Sequence, residues 1–228
     1  EGSVTDETGQ PLEDVAMNLS INEEFVAARQ TNSTGNFNIL YLGEGSNYVL
    51  TATKSGFEQK IIEGIYLGEG ETLTENIIMP TLSDYKLIVD VSLSDEEPVT
   101  VEVMVSYQGI SSDGLTYTDL SDLFEGQFIS EGLYPGTYEI STTRIDYYPN
   151  TTEVIISESD ETINVELERI PVGDLTGYID LSDDSSFENT VVEAVSNSVY
   201  GWEPRQTTQN PLDSGYYELL DLYIGPYI

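Results

Sequence analysis

The chain reads as an all-β protein made of tandem antiparallel β-sandwich modules, and three observations predict it. A pattern recurs: Gly35-Asn36-Phe37-Asn38-Ile39 with Gly45-Ser46-Asn47-Tyr48-Val49-Leu50 returns as Glu125-Gly126-Gln127-Phe128 with Gly136-Thr137-Tyr138-Glu139-Ile140. It returns again as Ser214-Gly215-Tyr216-Tyr217 with Gly225-Pro226-Tyr227-Ile228. Tyr48, Tyr138 and Tyr227 are 90 and 89 residues apart, and Phe37, Phe128 and Tyr217 are 91 and 89 apart, so the chain is an array of repeats. Short alternating or β-branched runs are punctuated by turn residues at regular spacing, which is how sandwiches are written. No segment carries a sustained 3.6-residue apolar period with caps, and Ala27-Ala28-Arg29 is too short to make a helix of consequence.

The first unit is expected over residues 1–80. Gly2–Asp6 reads as a strand, Glu7–Leu12 as a turn and Asp14–Ile21 as a second strand. Phe25–Thr31, Phe37–Tyr41, Tyr48–Lys54, Ile61–Leu67 and Thr72–Met79 follow, separated by Ser33-Thr34-Gly35, Gly43-Glu44-Gly45, Ser55-Gly56 and Gly68-Glu69-Gly70. A second unit, 81–170, repeats the plan with weaker turn chemistry: Leu87–Leu93, Val99–Tyr107, Leu115–Thr118, Gly126–Ser130, Thr137–Arg144, Glu153–Ser157 and Thr162–Glu168. Tyr147 answers Phe57 in that register. A third unit, 171–228, opens with Leu175–Asp183 aligned on Leu87–Asp95 and Thr190–Ser196 on Thr100–Ser106. It ends before two strands that the other units possess, so it is expected to be truncated here or completed in trans, since a sandwich without them exposes unpaired edges. The joining segments Met79-Pro80-Thr81 and Arg169-Ile170-Pro171-Val172 are short and carry proline, which favours a stiff rod.

The first unit resembles the carboxypeptidase regulatory-like domains, which have a transthyretin-like (prealbumin-like) sandwich. The pieces that carry the resemblance are Gly2-Ser3-Val4-Thr5-Asp6 with Gly9-Gln10-Pro11-Leu12-Glu13-Asp14-Val15, then Thr31–Phe37, Gly45–Ala52 and Ser55-Gly56-Phe57. The resemblance implies the sandwich fold. It implies no single role, because such domains occur beside peptidases, in outer-membrane receptors and as tandem modules of secreted proteins.

Forty-two acidic residues against seven basic ones and no histidine give a net charge of −35. The acids are spread among strands and turns instead of gathered in a tail, so they belong to a folded acidic surface. Nucleic acid and anionic membrane surfaces are poor partners for a surface of that sign, and self-repulsion of this size suggests screening by salt or bound divalent cations. No apolar run approaches the roughly 18 residues of a membrane span, no signal peptide is recognisable, and the first residues fall inside a strand pattern, as in a mature or excised segment.

Without cysteine or histidine the Ser-His-Asp, Cys-His and zinc-hydrolase arrangements are closed to this chain. Two carboxylates suffice for a glycosidase, but pairs arise by accident in so acidic a chain, and no acid lies in an apolar run that would raise its pKa. No enzyme is expected and no cofactor is required. Calcium is the one cofactor with a physical motive, because hard cations need clustered oxygens; Asp119, Asp122 and Glu125 are the candidate ligands, with Asp180–Asp184 as a second acidic turn. Neither stretch matches an EF-hand loop. Three Asn-x-Ser/Thr sequons begin at Asn18, Asn32 and Asn150, of which Asn32 and Asn150 fall in predicted turns. Trp202, Tyr200 and Tyr148 are candidate stacking residues for a sugar, weighed against the ordinary use of tyrosine on half-buried strands.

Some Gram-positive adhesins of related fold carry Lys–Asn isopeptide crosslinks, and Lys86 and Asn164 invite that comparison. Thr142 stands where the assisting acid would be, so no crosslink is expected. The role these features suggest is a segment of an extracellular, non-enzymatic structural protein: a stalk, surface layer or filament whose partners are copies of the same chain. A carbohydrate-binding adhesin contacting surface glycans, or the accessory module of a secreted peptidase, is the alternative.

Overall fold

The computed structural model describes residues 1–99, 103–122, 126–182, 187, 190–195, 206–209 and 215–223. Among them every regular element is a strand. The first group is β1 (Gly2–Thr5), β2 (Ala16–Ile21), β3 (Glu24–Gln30), β4 (Asn36–Phe37), β5 (Gly45–Thr53), β6 (Lys60–Leu67) and β7 (Glu75–Ile78). They form two sheets, β4-β1-β7 and β3-β2-β5-β6. The second group is β8 (Tyr85–Leu93), β9 (Met104–Ser111), β10 (Thr116–Asp122), β11 (Gln127–Leu133), β12 (Gly136–Thr143), β13 (Asn150–Ile156) and β14 (Glu161–Leu167). Its sheets, β11-β8-β14 and β10-β9-β12-β13, have the same order seven strands later. The third group, β15 (Val172–Tyr178), β16 (Val192–Val195), β17 (Gln206–Gln209) and β18 (Tyr216–Tyr223), pairs β15 with β18 and β16 with β17.

Alternation decides which side chains are inside. On β5 Tyr48, Leu50 and Ala52 point inward, on β2 Met17 and Leu19, and with Val4, Phe37, Ile77 and Met79 they make the first core. The second core repeats this with Leu87, Val89, Val91, Tyr107, Phe128, Tyr138 and Ile140. Tyr107 lies edge-on to Phe128 and Tyr138, with ring centroids 6.2 and 6.0 Å apart, an arrangement that adds to plain burial. The repeating aromatics are therefore core residues where they are described: Phe37, Tyr48, Phe128 and Tyr138 are all buried, and Tyr217 packs on a small third cluster of Ala194, Leu219 and Leu222. Tyr227 lies outside the described residues.

Four expectations need correction. The sheets are not wholly antiparallel: β1 pairs in parallel with β7, and β8 with β14, so each of these two sandwiches closes through one parallel pair. This draws the backbones together so that a Cβ on Gly2 would overlap the carbonyl oxygen of Glu75. The expected strand Phe37–Tyr41 is regular only over Asn36–Phe37, which pairs with β1 at Ser3 and Gly2. Residues 119–122, expected as a turn, are the end of β10, zipped to β9 from Asp119–Tyr107 to Asp122–Met104. Asn150, also placed in a turn, is the first residue of β13.

One irregularity is common to all three groups. Tyr41, Gly132 and Asp221 have φ of 61°, 76° and 54°, and each precedes a leucine, of which Leu133 and Leu222 are buried and Leu42 packs at the edge of the first core. A left-handed residue here turns the chain so that the next side chain re-enters the sandwich. Glycine takes this backbone without strain; Tyr41 and Asp221 do not.

Candidate functional site

The features that recur with the repeat and involve polar chemistry lie at the joints between sandwiches. After β5 the chain turns through Lys54–Phe57, closed by Phe57 N donating to Lys54 O at 3.1 Å, with Gly56 at φ 81°. After β12 it turns through Arg144–Tyr147 in the same way, with Asp146 at φ 70°. Each turn then grips the segment that leaves its own sandwich. Glu58 N donates to Pro80 O and Leu82 N to Gly56 O, both at 2.8 Å. Their counterparts are Tyr148 N to Glu168 O at 2.9 Å and Ile170 N to Asp146 O at 2.8 Å. Phe57 and Thr81 form an antiparallel bridge, as do Tyr147 and Arg169.

Side chains close the grip from the other face. Thr81 donates from N and Oγ1 to Glu7 Oε2, at 3.0 and 3.3 Å, and the Glu7 carboxyl is held below its ordinary pKa by its own backbone N–H and by Thr81. At the second joint Arg169 N donates to Ser94 Oγ at 3.0 Å, and Arg169 Nη1 reaches Asp95 Oδ2 at 3.1 Å. Tyr147 Oη also donates to Asp95, at 2.9–3.0 Å. Burial pushes the Asp95 carboxyl upward, but the Tyr147 hydroxyl, the Glu97 backbone N–H and Arg169 outweigh it and leave the pKa lowered; burial and Asp95 together raise that of Tyr147. Arg144 lies 5.0 Å over the Tyr147 ring. Chain stiffness at these segments thus comes from paired backbone groups more than from proline, because the segment is held at both ends and has little freedom left.

At the first joint the next sandwich reaches back. Gln59 N donates to Ser112 O at 2.8 Å, and Ser112 is fixed in turn by donating from N and Oγ to Pro135 O, at 2.6 and 2.9 Å. Asp113, wholly buried, accepts from Ser111 Oγ, from Leu115 N at 2.9 Å and from Tyr117 Oη at 2.6 Å; Gly56 N, across the joint, stands 3.4 Å from it. Ser55 Oγ is 3.2 Å from Tyr117 Oη. Tyr134 lies edge-on to Tyr117, ring centroids 5.9 Å apart, and its hydroxyl would be 3.1 Å from a Cβ on Gly56. Burial, with the Asp113 hydrogen bond, pushes the Tyr117 hydroxyl up to about 12. Tyr223, which follows a buried leucine as Tyr134 does, donates to the Asp146 carboxylate, so the second joint repeats the tyrosine on the turn.

Asp113 was invisible in the sequence: it stands in the polar run Ser111-Ser112-Asp113-Gly114 and looks like a solvated turn, whereas the neighbouring sandwich buries it. The one usable signal was Asp-Gly between two strands, which marks a tight turn and nothing about what packs on it.

The other candidates do not assemble. Asp119 is exposed on β10 and accepts from Leu120 N at 2.8 Å; Asp122 ends that strand, and Glu125 lies outside the described residues. No group of three or more acids is arranged to hold a metal ion among the described residues. Asp180 is followed at 183–184 by undescribed residues. Asn32 is exposed between β3 and β4, its Oδ1 accepting from Thr34 N, Thr34 Oγ1 and Asn36 N; Asn18 is exposed on β2, and Asn150 is half-buried. Tyr148 is half-buried in the second joint, and Tyr200 and Trp202 lie outside the described residues. Lys86 Nζ is 2.5 Å from Glu131 Oε1, while Asn164 pairs with Asp90, four residues along β8, so the two crosslink candidates stand apart. Thr142 is buried with its hydroxyl unpartnered.

The architecture is therefore that of β-sandwiches in series, each clamped onto the segment that leads to the next. Residues 1–80 match the family model of the carboxypeptidase regulatory-like domain. No curated protein sequence matches the chain. Solved structures with similar backbones include the Bacillus anthracis TIE protein, at 17% identity and a TM-score of 0.36 over 99% of this chain; the chain spans 43% of that protein's length. They also include a streptococcal ancillary pilin, at 10% identity and 0.45 over 99% of this chain and 87% of its own, and GBS52, the minor pilin of Streptococcus agalactiae, at 14% and 0.46 over 72% and 87%. No helix among the described residues is long and apolar enough to cross a membrane.

Proposed function

We propose that this chain is a load-bearing segment of an extracellular structural protein, a stalk, surface layer or filament in which sandwiches are stacked in series and copies of the chain associate. The observation that carries this reading is the repeated clamp. The same pair of backbone hydrogen bonds fastens the outgoing segment at both joints, Glu58–Pro80 with Leu82–Gly56 and Tyr148–Glu168 with Ile170–Asp146. Two joints stiffened by the same pair of backbone bonds suit a spacer, which must hold its length. The net charge of −35 fits an exterior where salt or divalent cations, calcium among them, screen repulsion, and the exposed Asn32 sequon fits glycan attachment there. Immunogold electron microscopy of intact cells tests the reading: label on the outer face is expected, and label confined to the interior would overturn it.

A further inference from the structure

Among the described residues β3 is an edge strand, paired with β2 alone. Thr31 N donates to Val15 O at 3.1 Å and Thr31 O accepts from Asp14 N at 3.0 Å, so Thr31 faces β2. Alternation then turns Arg29 and Ala27 towards β2 and leaves the N–H and C=O groups of Ala28 and Gln30 on the open edge. The Ala28 carbonyl agrees with this, since it accepts from the Arg29 guanidinium at 2.7 Å.

The side chains of this edge differ from those of the rest of the chain. Residues 25–43 are the longest acid-free run in a sequence with 42 acids, and Arg29 is the one charge within it. Arg29 is exposed and forms no ion pair among the described residues, although carboxylates far outnumber cations. Phe25 is 72% exposed on the same strand. The corresponding edge of the second sandwich, β10, carries Asp119 and Asp122 and no basic residue.

We propose that β3 is the strand through which two copies of this chain meet, antiparallel and edge to edge, with Ala28 opposite its own copy. This names the contact behind the self-association put forward above and rests on that reading. An outward residue at the centre of a two-fold antiparallel pair exchanges both backbone hydrogen bonds with its own copy, and Ala28 has no bulky side chain to obstruct it. Glu24 opens the strand and Arg29 stands near its end. Antiparallel pairing therefore sets each cation towards the acid of the other strand, whereas parallel pairing sets like charges together. A carboxylate that takes the guanidinium also frees Ala28 O to accept the incoming N–H. Elsewhere a chain of charge −35 repels its own copy, so the acid-free edge is where two chains approach with least repulsion. The register shift that leaves Val26 unpaired with β2 confines regular pairing to residues 27–30, so one contact is weak and gains strength in an array where many act together.

The test uses residues 1–228 in about 0.5 M NaCl, where a Debye length of about 4 Å screens the remaining charge. Sedimentation equilibrium should show dimers forming as the concentration rises towards about 1 mM, and hydrogen exchange should show protection appearing at Ala28 and Gln30 N–H. Ala28→Pro removes an outward N–H, which an edge strand tolerates. It should weaken the dimer at least about tenfold, as loss of two symmetric hydrogen bonds requires, while Arg29 and Thr31 N–H keep their protection from β2. Glu24→Arg and Arg29→Glu should each weaken the dimer, and the double variant should restore it. A chain that stays monomeric to about 1 mM, or Ala28 and Gln30 already protected in the monomer, would overturn the proposal. So would a double variant no better than either single one. A dimer indifferent to Ala28→Pro would overturn it too, leaving self-association in place through another face; label confined to the cell interior would instead sink the exterior role and leave this contact standing.

Discussion

Replacing Asp113 by alanine removes the acceptor at the centre of the first joint. Leu115 N–H, 2.9 Å away, loses its partner in a part-buried setting, while Tyr117 Oη, 2.6 Å away, can turn to Ser55 Oγ at 3.2 Å. Hydrogen bonds to a charged group are worth roughly 1.5–3 kcal/mol each, and the relief of no longer burying the carboxylate offsets part of the loss. A net destabilisation of the second sandwich of about 3 kcal/mol results, which at a urea m-value of about 1–1.5 kcal/mol/M moves its midpoint by roughly 2–3 M. Urea unfolding followed by tyrosine fluorescence measures it. The same variant should bring one tyrosine down from about 12 towards its ordinary value in a difference titration of tyrosinate absorbance. A midpoint shift worth less than about 1 kcal/mol, with the titration unchanged, would refute the view that Asp113 and Tyr117 form the joint.

Other outcomes follow from the same geometry. Tyr117 has a folded pKa of about 12 against an unfolded value of 10.0, so its contribution is fully present below pH 10 and lost as pH rises towards 12; alkaline unfolding that starts only above pH 12 would contradict this. Asp95 is depressed, so what it contributes is present above its ordinary pKa of 3.8 and lost as pH falls through the lower folded value; in Asp95→Asn, acid should no longer loosen the second joint, as read by exchange at Tyr148 and Ile170 N–H. Gly2→Ala forces β1 away from the Glu75 carbonyl and should cost the first sandwich more than about 3 kcal/mol in denaturant unfolding. Gly9→Ala, where φ is 85° but nothing lies within 4 Å, should cost only about 1–2 kcal/mol. With 42 acids against seven basic residues, thermal stability should rise steeply between low salt and 1 M NaCl, and a flat response in differential scanning calorimetry would contradict the role assigned to repulsion.

The strands were legible because their signals are local. Glycines at the turns and alternating aromatics announce β5 and β12, and the near-90-residue spacing of Phe37 and Phe128 places two sandwiches in register. What escaped was set by residues far apart in the chain. β10 runs to Asp122 because β9 continues opposite it; that length is not written in the strand's own sequence. The parallel closure of β1 on β7 joins residues 2 and 75, which no periodicity reports. The site was hidden for the same reason. Ser55, Gly56, Asp113, Tyr117 and Tyr134 are ordinary turn and strand residues until two sandwiches meet, and prolines at 80 and 171 pointed to stiffness whose larger source is the backbone pairing around them.

The central claim is that the first two sandwiches move as one body. The chain has no cysteine, so Ser33→Cys with Ser159→Cys, both at exposed positions, gives one clean pair of spin labels on opposite sides of the first joint. Pulsed electron–electron double resonance should return a single narrow distance distribution that broadens in Asp113→Ala. A broad distribution in the unmodified chain, as wide as that of the variant, would contradict the clamp.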